Sequence, residues 1–159
     1  MKNWILIILF SSMLCEMGIS QDKSSATAKP LNVLQFEILG HGGFYSLNFE
    51  RISPKKTVYR AGFSYLNIND FFDLKGFTFP GSITKLEPID KDSFVEIGFF
   101  STLFTVEDKV NAWIGPTLGF REQNIQRGDG MVRFFFSPGY SIRHKEFFIT
   151  GGLSFGKGL

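Results

Sequence analysis

Two histidines, His41 and His144, are the only residues of this chain that could serve as ordinary general bases. His41 lies five residues before Ser46, and the carboxylates of Glu37 and Glu50 are close along the chain. A histidine, a serine and a carboxylate are the parts with which acyl hydrolases activate a hydroxyl nucleophile. Residues five apart on one strand point to opposite faces, so this group could assemble only if the intervening glycines reset the register.

Simpler structural roles account for both histidines. His41 is expected to be an exposed turn residue, because glycines surround it. His144 lies between Arg143 and Lys145 and is expected at the solvated tip of a short turn. The sequence therefore assigns no catalytic residue.

The residues that could hold a metal or a phosphate also lack the necessary spacing. The candidate metal ligands are Asp70, Asp73, Asp90 and Asp92. They do not show the twelve-residue spacing of a calcium loop. The segment 40–43 (GHGG, called the glycine step below) is followed by neither Lys-Ser/Thr nor a helix, so a backbone bend explains it better than a phosphate cradle. We expect no cofactor and no metal.

The bulk composition bounds the class of protein. The chain has 159 residues, a formal net charge of +2 and 20% charged residues. That length allows one domain, and so small a charge without a basic stripe does not indicate a nucleic-acid partner. Phenylalanine occurs 20 times and glycine 17 times, which favours close-packed β-strands over a helical bundle.

The first twenty residues have the pattern of a secretory signal peptide. Lys2 provides a positive charge, Trp4–Phe10 is an apolar run too short to span a membrane, and Gly18–Ser20 offers small residues for cleavage before Gln21. Residues 21–31 are polar and small and are expected to form a flexible leader. Cys15 could mark a lipoprotein, but Leu14 stands where a lipobox needs a small residue.

After the leader, apolar and polar residues alternate as in β-strands, most clearly from Val110 to Arg121. The predicted strands are Asn32–Gly40, Gly43–Ile52, Thr57–Asn67, Phe77–Glu87, Ser93–Phe104, Lys109–Gln123, Met131–Arg143 and Glu146–Gly158. If the glycine step is a turn, there are eight strands; if it is a bulge, there are seven. Bacterial single-chain barrels have even strand numbers, so eight is favoured.

The two faces of these strands differ in polarity. One face is apolar and often aromatic, while the other carries glycine, serine and threonine with Arg60, Glu96, Arg121 and Arg133. This predicts an all-β, antiparallel, up-and-down transmembrane barrel over residues 32–159, with lipid outside and a polar interior. The four charged residues are expected to form a buried network. Three arginines need more than one glutamate, so Glu37 or Glu50 should complete the network.

Two features do not fit this barrel prediction simply: Pro116 and Pro138 lie inside strands, and Phe104 and Phe135 place large aromatic rings on the polar face. The amide donors that the two prolines lack require local bulges.

The residues also support a resemblance. The matching residues are Glu37-x-x-Gly40-x-Gly42-Gly43-x-Tyr45-Ser46-Leu47-Asn48-Phe49-Glu50-Arg51, then Tyr59-Arg60-Ala61-Gly62-Phe63-Ser64-Tyr65, and near the end Gly152-Leu153-Ser154-Phe155-Gly156. They resemble uncharacterised small outer-membrane β-barrel proteins of Gram-negative bacteria. The resemblance implies the barrel fold, the cell outer membrane as location, and outer-membrane lipid and the barrel assembly machinery as partners.

Three functions remain open from the sequence. The favoured one is a non-enzymatic outer-membrane barrel with a structural or binding role. A lipid hydrolase of the lipid A deacylase kind is the second, with His41, Ser46 and Glu37 or Glu50 as its candidate residues. A secreted soluble β-barrel that binds an apolar ligand inside is the third. The oligomeric state is not indicated.

Overall fold

The computed structural model describes residues 30–68, 74–106, 109–125, 127 and 130–159. The predicted signal peptide (1–20), residues 21–29 of the leader, and Asp70 and Asp73 lie outside the described residues. The described part of the chain contains no helix long and apolar enough to span a membrane.

The chain forms eight strands. They are β1 (Leu31–Leu39), β2 (Tyr45–Ile52), β3 (Thr57–Ile68), β4 (Leu74–Pro88), β5 (Ser93–Val106), β6 (Lys109–Gln123), β7 (Gly130–Ser141) and β8 (Glu146–Gly158). Each pairs antiparallel with the next, and β8 pairs with β1 to close the barrel. The predicted eight-stranded, up-and-down, all-β barrel is confirmed, and the glycine step is a turn between β1 and β2.

The strand bounds differ from the predicted ones by two or three residues at the starts of β2 and β4 and at the ends of β5 and β7, and by one residue at several other ends. β4 begins at Leu74 rather than Phe77, because its backbone pairing with β3 continues to Ile68↔Leu74 and does not depend on the alternation of side chains. β7 ends at Ser141 rather than Arg143, because the Lys145 amide donates to the Ser141 carbonyl at 2.8 Å and closes the turn. Period-two alternation identifies a strand but not the residue at which its hairpin turns.

Alternation along the strands turns the polar face inward. Arg60, Glu96, Arg121 and Arg133 are all buried in the lumen, as predicted. The residues of the other face are exposed and apolar, for example Leu118 at 54% and Phe134 at 57%. The barrel therefore buries charged and polar side chains in its interior and exposes many large apolar side chains on its exterior.

The predicted bulges at Pro116 and Pro138 are wrong. The β6–β7 pairing stops after Ile114↔Tyr140 and resumes at Leu118↔Phe136 with no residue inserted on either strand. The two prolines face each other in the middle of this gap. Both residues without an amide donor therefore lie at the same position of the β6–β7 pair. The hydrogen bonds between the two strands are interrupted there, but the register is unchanged.

The lumen is filled in layers. The end of the barrel at which β1 begins and β8 ends, called the near end, holds an apolar cluster of Val33, Ile52, Val58, Leu86, Phe94 and Met131. The charged residues occupy the middle. The opposite end, called the far end, holds the glycine step and the aromatic rings of Phe100 and Phe135. Eight strands leave an interior just wide enough for side chains to fill, and here they do.

Candidate functional site: the lumen

Six acidic and basic side chains meet in the middle of the lumen. They are Glu37 of β1, Glu50 of β2, Arg60 of β3, Glu96 of β5, Arg121 of β6 and Arg133 of β7. Each occupies an inward position of its strand, and all six are buried. Three positive charges face three negative charges, so the cluster is balanced.

Glu96 is the centre of this cluster. Its Oε1 accepts from Arg60 Nη2 at 3.1 Å and from the Thr84 hydroxyl at 2.8 Å. Its Oε2 accepts from Nε of Arg121 at 3.1 Å and from Nε of Arg133 at 3.0 Å. One carboxylate therefore holds guanidinium groups from three different strands.

Arg121 and Arg133 need this carboxylate because of their register. They stand directly opposite each other on β6 and β7, where like charges repel. Glu96 accepts from both groups at once. The Arg133 guanidinium also lies over the Phe135 ring at 3.9 Å, which adds a cation–π contact.

Both of the candidate glutamates complete the network. Glu50 pairs with Arg60, its direct neighbour across β2 and β3, and with Arg121 Nη1 at 2.9 Å. Glu37 lies 3.5 Å from Arg133 and accepts from the Ser154 hydroxyl at 3.3 Å. The sequence predicted that Glu37 or Glu50 would join the network. Both do, and together with Glu96 they match the three arginines in number.

The glycine step folds into the lumen. Its three successive carbonyls, at positions 40, 41 and 42, each accept a threonine hydroxyl from a different strand. The donors are Thr150 of β8 at 3.1 Å, Thr102 of β5 at 2.8 Å and Thr78 of β4 at 2.9 Å. The turn thus closes the far side of the charged layer.

Glycine is required for this path. Gly40 has a φ of 93° and Gly43 a φ of 96°, the left-handed region that disfavours side chains. A Cβ at Gly40 would also lie 2.4 Å from the Phe135 ring. The segment therefore serves as a compact, inward-bent cap.

His41 is buried, and its expected exposure is wrong. Only 1% of the residue is exposed. Its ring stacks on Phe100 with centroids 4.2 Å apart, and Nε2 lies 2.9 Å from the Ser137 hydroxyl. Burial, followed by the positive charge of Arg133, holds the pKa of His41 well below its ordinary value. His144, in contrast, lies exposed in the β7–β8 turn as predicted.

The candidate hydrolase residues are close but not joined as the sequence suggested. The glycine step does reset the register, and His41 and Ser46 both point inward. The imidazole bonds Ser137, whereas the Ser46 hydroxyl bonds Glu37 at 3.5 Å and accepts from Asn48 at 2.8 Å. All of these side chains are buried, and their hydrogen bonds link the glycine step to β1, β2 and β7.

Sequence reasoning missed the hydroxyls that hold the glycine step. All four residues lie at inward positions of their strands: Thr78, Thr102, Ser137 and Thr150. This alternation is the only feature of the sequence that could have identified them. Within the described residues, no group of three or more potential metal ligands occurs.

Comparisons of the chain with family models, curated proteins and solved structures found no match.

Proposed function

We propose that this protein is a non-enzymatic β-barrel of the bacterial outer membrane, with a structural or lipid-binding role. The observation that carries the proposal is the reversed polarity of the barrel. Charged residues occupy the middle of its interior, and aromatic and aliphatic residues cover much of its exterior. That arrangement matches a barrel whose outside contacts lipid and whose inside is polar.

The exterior supports this proposal by its continuity. Exposed apolar residues occur on all eight strands, among them Phe36, Phe49, Phe63, Phe79, Ile97, Leu118, Phe134 and Leu153. Soluble monomers seldom expose apolar patches of more than a few hundred Å². A belt around the whole barrel is costly in water and favourable in a bilayer.

The interior favours this proposal over a soluble carrier of apolar ligands. Such a carrier needs an apolar cavity inside the barrel. The middle of this lumen instead holds three arginines and three glutamates in contact. The same packing disfavours an open pore, because the charged layer lies between the apolar cluster at the near end and the inward-folded glycine step.

The candidate hydrolase function has less support. The serine closest to His41 is Ser137, and both residues are buried in the lumen. A lipid ester would have to enter the packed interior to reach them.

Fractionation combined with gel migration tests the proposal. The protein should be recovered from the outer-membrane fraction after detergent extraction. The unboiled form should migrate differently from the boiled form on a denaturing gel, because a closed ladder resists detergent. Recovery in the soluble periplasmic fraction with identical migration would contradict the proposal. The mass of lipid A should be unchanged in a deletion strain, and a changed mass would instead support the hydrolase.

A further inference from the structure

The barrel wall is incomplete at its far end. The pairing of β1 with β8 ends at Leu39↔Gly152, although β8 continues outward to Glu146. Residues 146–151 therefore pair with β7 alone. β1 and β2 are the shortest of the eight strands, so their hairpin ends before the neighbouring part of β8 does. This difference leaves a notch beside residues 146–151 of β8.

A cavity of about 330 Å³ opens in this notch. Its side chains come from Leu39, Phe44, Trp113, Phe148, Ile149 and Thr150, together with three glycines. No charged side chain lines it. The inward course of the glycine step leaves this space open, since the Thr150 hydroxyl donates to the Gly40 carbonyl while the Thr150 backbone stays paired with β7.

The aromatic wall of the cavity is well packed. The ring of Trp113 lies between those of Phe104 and Phe148, at centroid distances of 4.6 and 4.8 Å. Such packing keeps an aromatic surface in place without a ligand, as preformed apolar sites require.

We infer that this cavity binds one acyl chain of an anionic lipid. The inference rests on the proposed membrane location. The cavity is continuous with the outward apolar face, because Leu39, Phe44 and Ile149 are all at least half exposed at its mouth. A volume of about 330 Å³ corresponds to about ten groups of the size of a water molecule or a methylene, which suits one chain and excludes a folded partner.

The preference for an anionic lipid comes from the neighbouring turn. Arg143 and Lys145 are exposed in the β7–β8 connection, and neither forms an ion pair within the described residues. Lys145 precedes Phe148 by three residues, about 10 Å along an extended strand. A chain in the cavity would therefore place its headgroup within reach of two free cations.

Quenching of Trp113 fluorescence by brominated lipids tests this inference. All proteins carry Trp4→Phe, so that each has a single tryptophan, which is Trp113 in the test protein. The protein is placed in phosphatidylcholine vesicles with an increasing fraction of phosphatidylglycerol brominated on its acyl chains. Trp113 should reach half-maximal quenching at a several-fold lower fraction of brominated lipid than a tryptophan on the open outer face.

Two control proteins lack Trp113 and carry one tryptophan elsewhere. Trp113→Phe with Phe79→Trp reports the outer face, and Trp113→Phe with Phe94→Trp reports the buried near end. The first should be quenched in proportion to the brominated fraction, and the second should be quenched weakly. An unquenched Phe79→Trp would overturn the membrane location and the inference with it. A quenched Phe79→Trp beside an unquenched Trp113 would overturn the inference alone.

The headgroup and the lipid source are tested in separate arms. Arg143→Gln combined with Lys145→Gln should abolish the preference for brominated phosphatidylglycerol, whereas Lys55→Gln combined with Lys91→Gln, at the near end, should keep it. Brominated phosphatidylcholine should show no preference in any protein. Dibromostearate tests whether a free fatty acid can take the place of the phospholipid. Saturable quenching of Trp113 by either anionic lipid supports the site. Equal quenching of Trp113 by anionic and zwitterionic lipid would overturn the anionic assignment.

Discussion

Arg121 and Arg133 stand directly opposite each other on neighbouring strands, and their Nε atoms both donate to Glu96 Oε2, at 3.1 and 3.0 Å. Two like charges in one register position would repel inside a narrow barrel. The carboxylate between them converts the repulsion into a bridge across three strands. The charged layer therefore holds the barrel wall together from within, provided that Glu96 stays ionised.

Replacement of Glu96 with glutamine should destabilise the fold strongly. The change keeps the size of the side chain but removes the charge shared by three guanidinium groups. Breaking a buried ion pair on one side costs about 3–5 kcal/mol. Urea unfolding in a lipid system would measure the loss. Glu87→Gln, an exposed position on β4, is the matched control and should change little. Equal midpoints for the two variants would show that the network contributes nothing.

The outward face should not tolerate a charge. Ile114→Arg places a guanidinium on the apolar exterior of β6 and should cost about 2–4 kcal/mol if that position lies near the bilayer midplane. Ile89→Arg, in the β4–β5 turn, makes the same change outside the strands and should cost under about 1 kcal/mol. The inward change Thr117→Ser keeps the hydroxyl that accepts from Ser137 and should be mild. Equally mild unfolding shifts for Ile114→Arg and Thr117→Ser would contradict the face assignment.

The inward path of the glycine step should depend on Gly40. Alanine there must adopt a positive φ and would contact the Phe135 ring, so Gly40→Ala should lower the free energy of unfolding by more than about 1 kcal/mol. Gly130→Ala is the control, because the nearest atom to its new Cβ is 4.0 Å away. Thermal unfolding of both variants would compare them, and a stable Gly40→Ala protein would show that the turn can leave the lumen freely.

Stability should depend on pH through His41. The pKa of this residue is lowered by burial and by Arg133, so the folded state holds it neutral. An unfolded histidine binds a proton below about pH 6.5. The contribution of His41 is therefore complete above that pH and is lost as the pH falls toward its folded pKa. His41→Gln should flatten the dependence of the unfolding free energy on pH in this window, while His144→Gln should leave it unchanged. An unaltered slope in His41→Gln would exclude this role.

Much of the fold follows from local pattern. Alternation determines which residues of a strand share a face. Once the strands were assigned, it predicted the inward positions of four charged residues: Arg60, Glu96, Arg121 and Arg133. Their mutual contact followed from the high cost of an unpaired charge in a narrow lumen. The same alternation places Glu37 of β1 and Glu50 of β2 on the inward face, where both can pair with the arginines.

The course of the glycine step could not be predicted in the same way. Its direction depends on hydroxyls from β4, β5, β7 and β8, which come together only when the barrel closes. His41 therefore looked like a turn residue in solvent and is instead part of the interior. The absence of bulges at Pro116 and Pro138 could not be predicted either, because only the β6–β7 register shows that the two prolines lie opposite each other.

The central claim is that the apolar face contacts lipid. Spin labels at single cysteines along β6, from Ala112 to Phe120 in a Cys15→Ser background, would test it most directly in vesicles. Collision rates with oxygen, which concentrates in the bilayer, should alternate with period two and peak at the outward positions 112, 114, 116, 118 and 120. A nickel chelate confined to water should reach these positions least. Outward labels that collide freely with the nickel chelate and show no oxygen maximum would contradict the account.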